Sequence, residues 1–256
     1  MLRTGRLASV LAIALTLGAS EPALAAAVAS HAGRPQPAAS APSHAGLPKA
    51  SAPQQLAVLT RSTQAFSSPR RGSRPLETVS RSRPITGEQT ALPVIAHAID
   101  AHHAAWLKVL LPGRPNSHTG WVQASSTRPG MTRWQIVVRI STRAVSVLRD
   151  GRTVRSFRAV VGKPSTPTPL GRFFVEETVR LSRNEVGAPY ALALSARSNV
   201  LQEFAGGPGQ TALHGTDNVG GTPGTAVSHG CVRLDTQAIS WLATRIGPGT
   251  PVTITR

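Results

Sequence analysis

The sequence predicts a mainly β protein: a β-sandwich domain with one short helix, preceded by a small β module and a disordered N-terminal tether. Three observations carry that expectation. From Trp134 onward, short runs rich in Val, Ile and Phe recur between turns built of Gly, Pro and Asp. Only Asp235–Ile246 sets apolar residues (Ile239, Leu242, Ile246) at helical spacing, between a capping Asp and a Gly247-Pro248-Gly249 stop. The first third of the chain, by contrast, is dominated by Ala, Pro, Ser and Arg. Such a composition buries too little apolar surface to offset chain entropy.

Taken in order, Arg3 and Arg6 precede the apolar stretch Leu7–Ala19, and Ala23-Leu24-Ala25 supplies small residues for cleavage. Residues 1–26 therefore read as a secretory signal peptide, and the protein as exported to periplasm or cell wall. The apolar stretch falls short of the roughly twenty residues of a spanning helix; left uncleaved, it would be a short membrane tether. Residues 27–86 read as the disordered linker, with runs such as Arg34-Pro35-Gln36-Pro37 and Ser67-Ser68-Pro69-Arg70-Arg71. Residues 87–130 read as a small β module. Trp106–Leu111 and Gly120-Trp121-Val122 flank the turn cluster Pro112–Ser117, a pattern similar to bacterial Src-homology-3-like segments.

Residues 131–256 form the predicted sandwich. Trp134–Ile140 and Ala144–Leu148 precede Asp150-Gly151, a hairpin signal, and Val154–Val161 returns beyond it. The loop Gly162–Gly171 contains Thr166-Pro167-Thr168-Pro169, after which Arg172–Val179 is extended. The helix and a last strand around Pro251–Ile254 complete the domain.

A net charge of +17 over 256 residues, carried almost wholly by arginine, suits an anionic partner: nucleic acid, anionic lipid or an anionic wall polymer. Ten aromatic residues and no nucleic-acid motif argue against nucleic acid. His97, His102, His103 and His118 have only Asp100 nearby and read as surface residues rather than metal ligands.

The chemistry concentrates between His214 and Arg233, a stretch holding the only cysteine. With one cysteine, no internal disulfide can form. If Ser228–Arg233 is extended, His229, Cys231 and Arg233 share a face, and the nearby cation favours the thiolate. A zinc site from His214, His229, Cys231 and Asp217 is the rival chemistry, disfavoured by the glycine-rich gap between them. Gly220, Gly221 and Gly224 fit no phosphate-loop spacing.

His214-Gly215, a gap of thirteen residues, then Ser228-His229-Gly230-Cys231-Val232-Arg233 resembles the signature of the L,D-transpeptidase catalytic-domain family, and the Thr-Pro-Thr-Pro loop is a second match. The resemblance implies a β-sandwich that cross-links peptidoglycan stem peptides. Cys231 would form a thioester on a tetrapeptide stem with release of D-alanine, and an amine of a second stem would resolve it. It implies His214 as general base, oriented by the carbonyl of Gly215, with His229 the competing candidate. Gly230 and Cys231 would offer backbone N–H groups to the oxyanion, and Ser228 would hold the loop. Arg233 would meet a substrate carboxylate, or else pair with Asp235 or Asp217. Tyr190 would lie on a substrate-facing strand. No cofactor or metal is implied, and carbapenem-type acylating drugs are expected inhibitors. Transfer to water, giving an L,D-carboxypeptidase, transfer to a protein amine, and a non-catalytic wall-binding role remain alternatives.

Overall fold

The structure, a computed structural model, describes residues 53–204 and 206–256. The predicted signal peptide and residues 27–52 of the predicted linker lie outside them. The described chain is mainly β with one α-helix.

Seven strands form the first sheet: β1 (Gln54–Leu59), β2 (Thr63–Phe66), β3 (Pro75–Val79), β4 (Ala91–Ile99), β5 (Ala105–Leu110), β6 (Thr119–Gln123) and β7 (Thr127–Thr132). Their order is β3-β2-β6-β5-β4-β1-β7. This corrects the sequence reading, which assigns 27–86 to a disordered linker and begins the module at 87. β1 lies inside the sheet between β4 and β7. Its Ala57 and Leu59 enter the main core of this unit, and Leu56 and Val58 pack with Ala91 in a second apolar cluster. A strand buried on both faces shows an apolar run rather than alternation. Four such residues are lost among the Ser, Pro and Arg that surround them.

The second unit contains β8 (Trp134–Arg139), β9 (Ala144–Arg149), β10 (Arg152–Arg158), β11 (Val161–Gly162), β12 (Gly171–Arg180), β13 (Tyr190–Arg197), β14 (Gln210–Gly215), β15 (Ala226–Ser228), β16 (Val232–Leu234), α1 (Thr236–Ala243) and β17 (Pro251–Thr255). The long sheet runs β10-β9-β8-β17-β12-β13-β14-β16. β12 pairs with β17 through Gly171–Phe174 and with β13 from Val175 onward, so it passes from one layer to the other. Between the layers, Ile136, Val138, Val145 and Val147 meet Leu192, Leu194, Leu213, Val232 and Leu234, closed by Ile239 and Leu242 of α1. Asp235 caps α1 by accepting from the Ala238 N–H at 2.7 Å. The helix ends at Ala243, earlier than its apolar spacing suggests, yet Ile246 stays buried in the turn that follows.

The two units share buried contacts. Phe174 of β12 is fully buried in the core of the first sheet. Glu176 pairs with Arg83 at 2.7 Å and Arg197 at 3.1 Å, and Glu177 accepts from the N–H and hydroxyl of Thr86. Burial pushes the Glu176 carboxyl up, and the two guanidiniums pull it back down. Residues 83 and 86 are thus anchors of the joint rather than part of a tether.

Candidate active site

β14 and β16 are parallel neighbours, with Leu213 opposite Val232 and His214 opposite Arg233. Leu213 and Val232 fill the core, so His214 and Arg233 project from the other face. Cys231 lies directly before β16, its thiol against the Ala212 backbone of β14 and within reach of the Arg233 charge. Parallel pairing therefore brings together three residues separated by up to nineteen positions, with no need for an extended run through His229.

The structure corrects that extended run. β15 ends at Ser228, and the chain bends through His229 and Gly230 before β16 begins. Gly230 has φ +120°, a conformation that residues with a Cβ rarely adopt. Ser228 ties the bend: its hydroxyl donates to the Cys231 carbonyl at 2.6 Å and accepts from the Gly230 N–H at 3.1 Å. Of the two N–H groups expected at an oxyanion, the one at Gly230 is thus engaged by Ser228. The predicted Thr-Pro-Thr-Pro loop buttresses the same bend, as the Lys163 N–H and the Thr166 hydroxyl both donate to the Ser228 carbonyl.

His214 is buried, with Nδ1 at 2.7 Å from the Gly215 carbonyl. A carbonyl only accepts, so Nδ1 carries the hydrogen and Nε2 keeps its lone pair. Gly215 approaches the Ala188 carbonyl so closely that a Cβ there would lie 1.9 Å from the oxygen. Burial lowers the His214 pKa to about 4, against the Gly215 hydrogen bond, with the Arg233 charge adding to the lowering. Cys231 is free and half-buried. Burial raises its pKa, opposed by the Ala212 backbone and by Arg233. Where the sequence suggests that a nearby cation favours thiolate, desolvation outweighs the charge: Cys231 rests as a thiol and His214 as a neutral imidazole.

Arg233 forms no ion pair with Asp235 or Asp217. Asp235 caps α1, and Asp217 accepts from the Thr236 hydroxyl. The guanidinium donates instead to the carbonyls of Val219 and Gly220, while its buried Nε has no partner. It is a cation held beneath the glycine-rich loop without a carboxylate.

His229 sits on the bend, exposed, with its ring stacked on Phe204 at 5.7 Å and 28°. Burial first, then the Lys163 and Arg233 charges, lowers its pKa. Tyr190 is not brought to the group. Ala191 is the register partner of His214, so Tyr190 points to the opposite face and packs against the core edge.

Sequence reasoning missed Phe204 and the residues that place it. Arg114, in the turn between β5 and β6, donates to the carbonyls of Ser198, Leu201 and Pro208 at 2.9–3.0 Å. Asn116 exchanges two hydrogen bonds with the Arg197 backbone and reaches the Asn199 side chain. The first unit thus grips both ends of the β13–β14 connection, whose Phe204 covers His229. A turn of Pro, Gly, Arg and Asn carries no sign of such a distant partner.

Residues 133–254 match the family model of the L,D-transpeptidase catalytic domain. That domain belongs to the L,D-transpeptidase family. The YkuD protein of Bacillus subtilis is 28% identical over 159 residues, 62% of this chain and 81% of that protein. L,D-transpeptidase 1 of Mycobacterium tuberculosis is 30% identical over 126 residues, 46% of this chain and 49% of that protein. A solved L,D-transpeptidase from Mycobacterium smegmatis aligns with 64% of this chain and 99% of that one, at 17% identity and a TM-score of 0.37. In this L,D-transpeptidase domain the matched segment contains the whole His214–Arg233 group but not Arg114, Asn116 or the first sheet.

Proposed function

We propose that the protein is an exported L,D-transpeptidase that cross-links peptidoglycan through a thioester on Cys231. The observation that supports this reading most directly is the pairing of His214 on β14 with Arg233 on β16, which begins directly after Cys231, with Nε2 as the imidazole's free nitrogen. His214 Nε2 takes the thiol proton as sulfur attacks the carbonyl of the third stem residue. The oxyanion meets the Cys231 N–H, while Gly230 keeps the bend in shape through Ser228. The amide bond to D-alanine then breaks, and D-alanine leaves with the proton held by His214. An amine of a second stem attacks the thioester, a new amide forms, and the proton lost by that amine restores the thiol.

Splitting the exchange in two leaves the barrier of each step to proton transfer and oxyanion stabilisation, the two things this site supplies. The uncompensated Arg233 cation suits a stem-peptide carboxylate near the thiol. His229, exposed beneath Phe204, serves the rim of the site, and His214 is the base. Carbapenem-type drugs acylate Cys231 in the same way as the donor stem. Residues 1–26 direct export, and arginines in the N-terminal region favour retention at anionic wall polymers.

Intact-protein mass spectrometry of the full chain with a carbapenem tests the nucleophile. One adduct per chain, absent from Cys231→Ala, is expected. Release of D-alanine from a tetrapeptide stem, with and without an acceptor amine, separates transpeptidase from carboxypeptidase. An unreactive, folded wild-type chain would leave the family membership without this activity.

A further inference from the structure

Between Arg133 and Arg158 the sequence places seven arginines and one acid, Asp150, and that acid is already paired with Arg133 at 2.6 Å. Strand register lines several of these arginines up. Trp134 of β8 faces Arg149 of β9, which faces Arg152 of β10. Along the same edge, Trp241 of α1 meets Trp134 edge-on at 6.0 Å and Phe157 at 5.9 Å. Three guanidiniums lie over this aromatic row. Arg149 is 5.4 Å from the Trp134 ring, Arg155 is 5.8 Å from Phe157 and 5.1 Å from Trp241, and Arg245 is 4.6 Å from Trp241. All three side chains are on exposed residues, and none has a carboxylate partner among the described residues. Arg245 also borders a depression of about 460 Å³ lined by Arg180 and Tyr190, where Glu88 is the one carboxylate.

We propose that this face is a docking surface for a linear polyol-phosphate polymer, whose phosphodiesters are held by Arg149, Arg155 and Arg245. Setting two cations on a single indole costs repulsion, which ring contact offsets only in part. A chain of anions removes that repulsion. Arg149 and Arg155 donate to no protein acceptor among the described residues, and Arg245 uses only Nη1, toward the Trp241 carbonyl and the Thr244 hydroxyl, so N–H groups of all three remain for phosphate oxygens. Repeated charge is required because the cations form a row rather than a single cradle. The rings themselves argue against nucleic acid: each is covered by a guanidinium or met by another ring, which leaves no platform for a base. An anionic membrane would call for apolar side chains to insert beside the cations. On β10 the only large exposed apolar residue is Val154.

Binding of the purified full chain to poly(glycerol phosphate) tests the proposal, with single-stranded DNA and phosphatidylglycerol vesicles as the competing ligands. Wild type is expected to prefer poly(glycerol phosphate), with log affinity falling linearly against log salt. The combined replacement Arg149→Gln, Arg155→Gln and Arg245→Gln is expected to weaken binding by at least about tenfold and to flatten that slope by about 2. Lysine at the three positions should keep most of the slope but not the affinity, because an ammonium neither stacks flat nor forks. Each single Gln replacement should show a share of the loss, so the outcome does not depend on the triple variant folding. Unchanged binding in the Gln variants, or a wild-type preference for DNA or vesicles, would overturn the assignment.

Discussion

The pH dependence of acylation follows from the burial of His214 and separates this site from one with an ordinary histidine. With its pKa lowered to about 4, His214 is about 97% neutral at pH 5.5, whereas an unperturbed histidine at 6.5 would be only about 9% neutral. The rate constant for single-turnover acylation of Cys231 by a carbapenem should therefore change little between pH 7.5 and 5.5 and fall only as pH approaches 4. An ordinary histidine base would lose roughly tenfold over the same interval. The same shift enters stability. The unfolded chain takes up this proton near pH 6.5 and the folded chain only near 4, so the unfolded state binds more protons in between. Stability contributed by the neutral ring is present above pH 6.5 and declines as pH falls toward 4, by about 3 kcal/mol in all. Glu176, whose carboxyl is raised, acts in the opposite sense, so the measurement is the difference between wild type and His214→Gln in urea unfolding across that range. An acid limb of acylation centred between pH 6 and 7, or parallel stability profiles for the two proteins, would refute the reasoning.

Two further outcomes test the joint between the units. Arg114→Ala removes three hydrogen bonds to the β13–β14 connection, each worth about 1 kcal/mol. Amide exchange over 198–209 should quicken by at least about tenfold, and the ring-current shift that Phe204 imposes on His229 should shrink, while Cys231 still accepts a carbapenem. Arg114→Lys should restore this only in part, since one ammonium cannot span the three carbonyls. Truncation to residues 87–256 removes β1, β2 and β3 together with Arg83, leaving Glu176 without one of its two cations and the Phe174 pocket open. That fragment should be less stable than residues 53–256 by several kcal/mol, read as a lower urea midpoint. Equal midpoints would mean that the first three strands contribute nothing to the joint.

What the sequence determined by itself is local. Apolar runs between turn residues announce a mainly β chain, and Asp235 with Gly247-Pro248-Gly249 brackets its one helix. The residues proposed to carry the chemistry, His214, Ser228, Gly230, Cys231 and Arg233, stand out because their types and spacing have few other uses. β1 escaped because a strand buried on both faces has no alternation to read, and its neighbours are those of a linker. The tertiary structure alone decided how the site is assembled. Parallel pairing of β14 with β16, rather than an extended run from 228 to 233, sets His214 beside Arg233 and leaves His229 on a bend. Tyr190 falls on the wrong face for a reason of register, which no single strand contains. The grip of Arg114 on carbonyls more than eighty residues away depends on two sheets meeting at Phe174, and the thiol's resting state depends on burial outweighing charge. Both are properties of packing: a side chain's neighbours and its loss of water are fixed only when distant segments close over it.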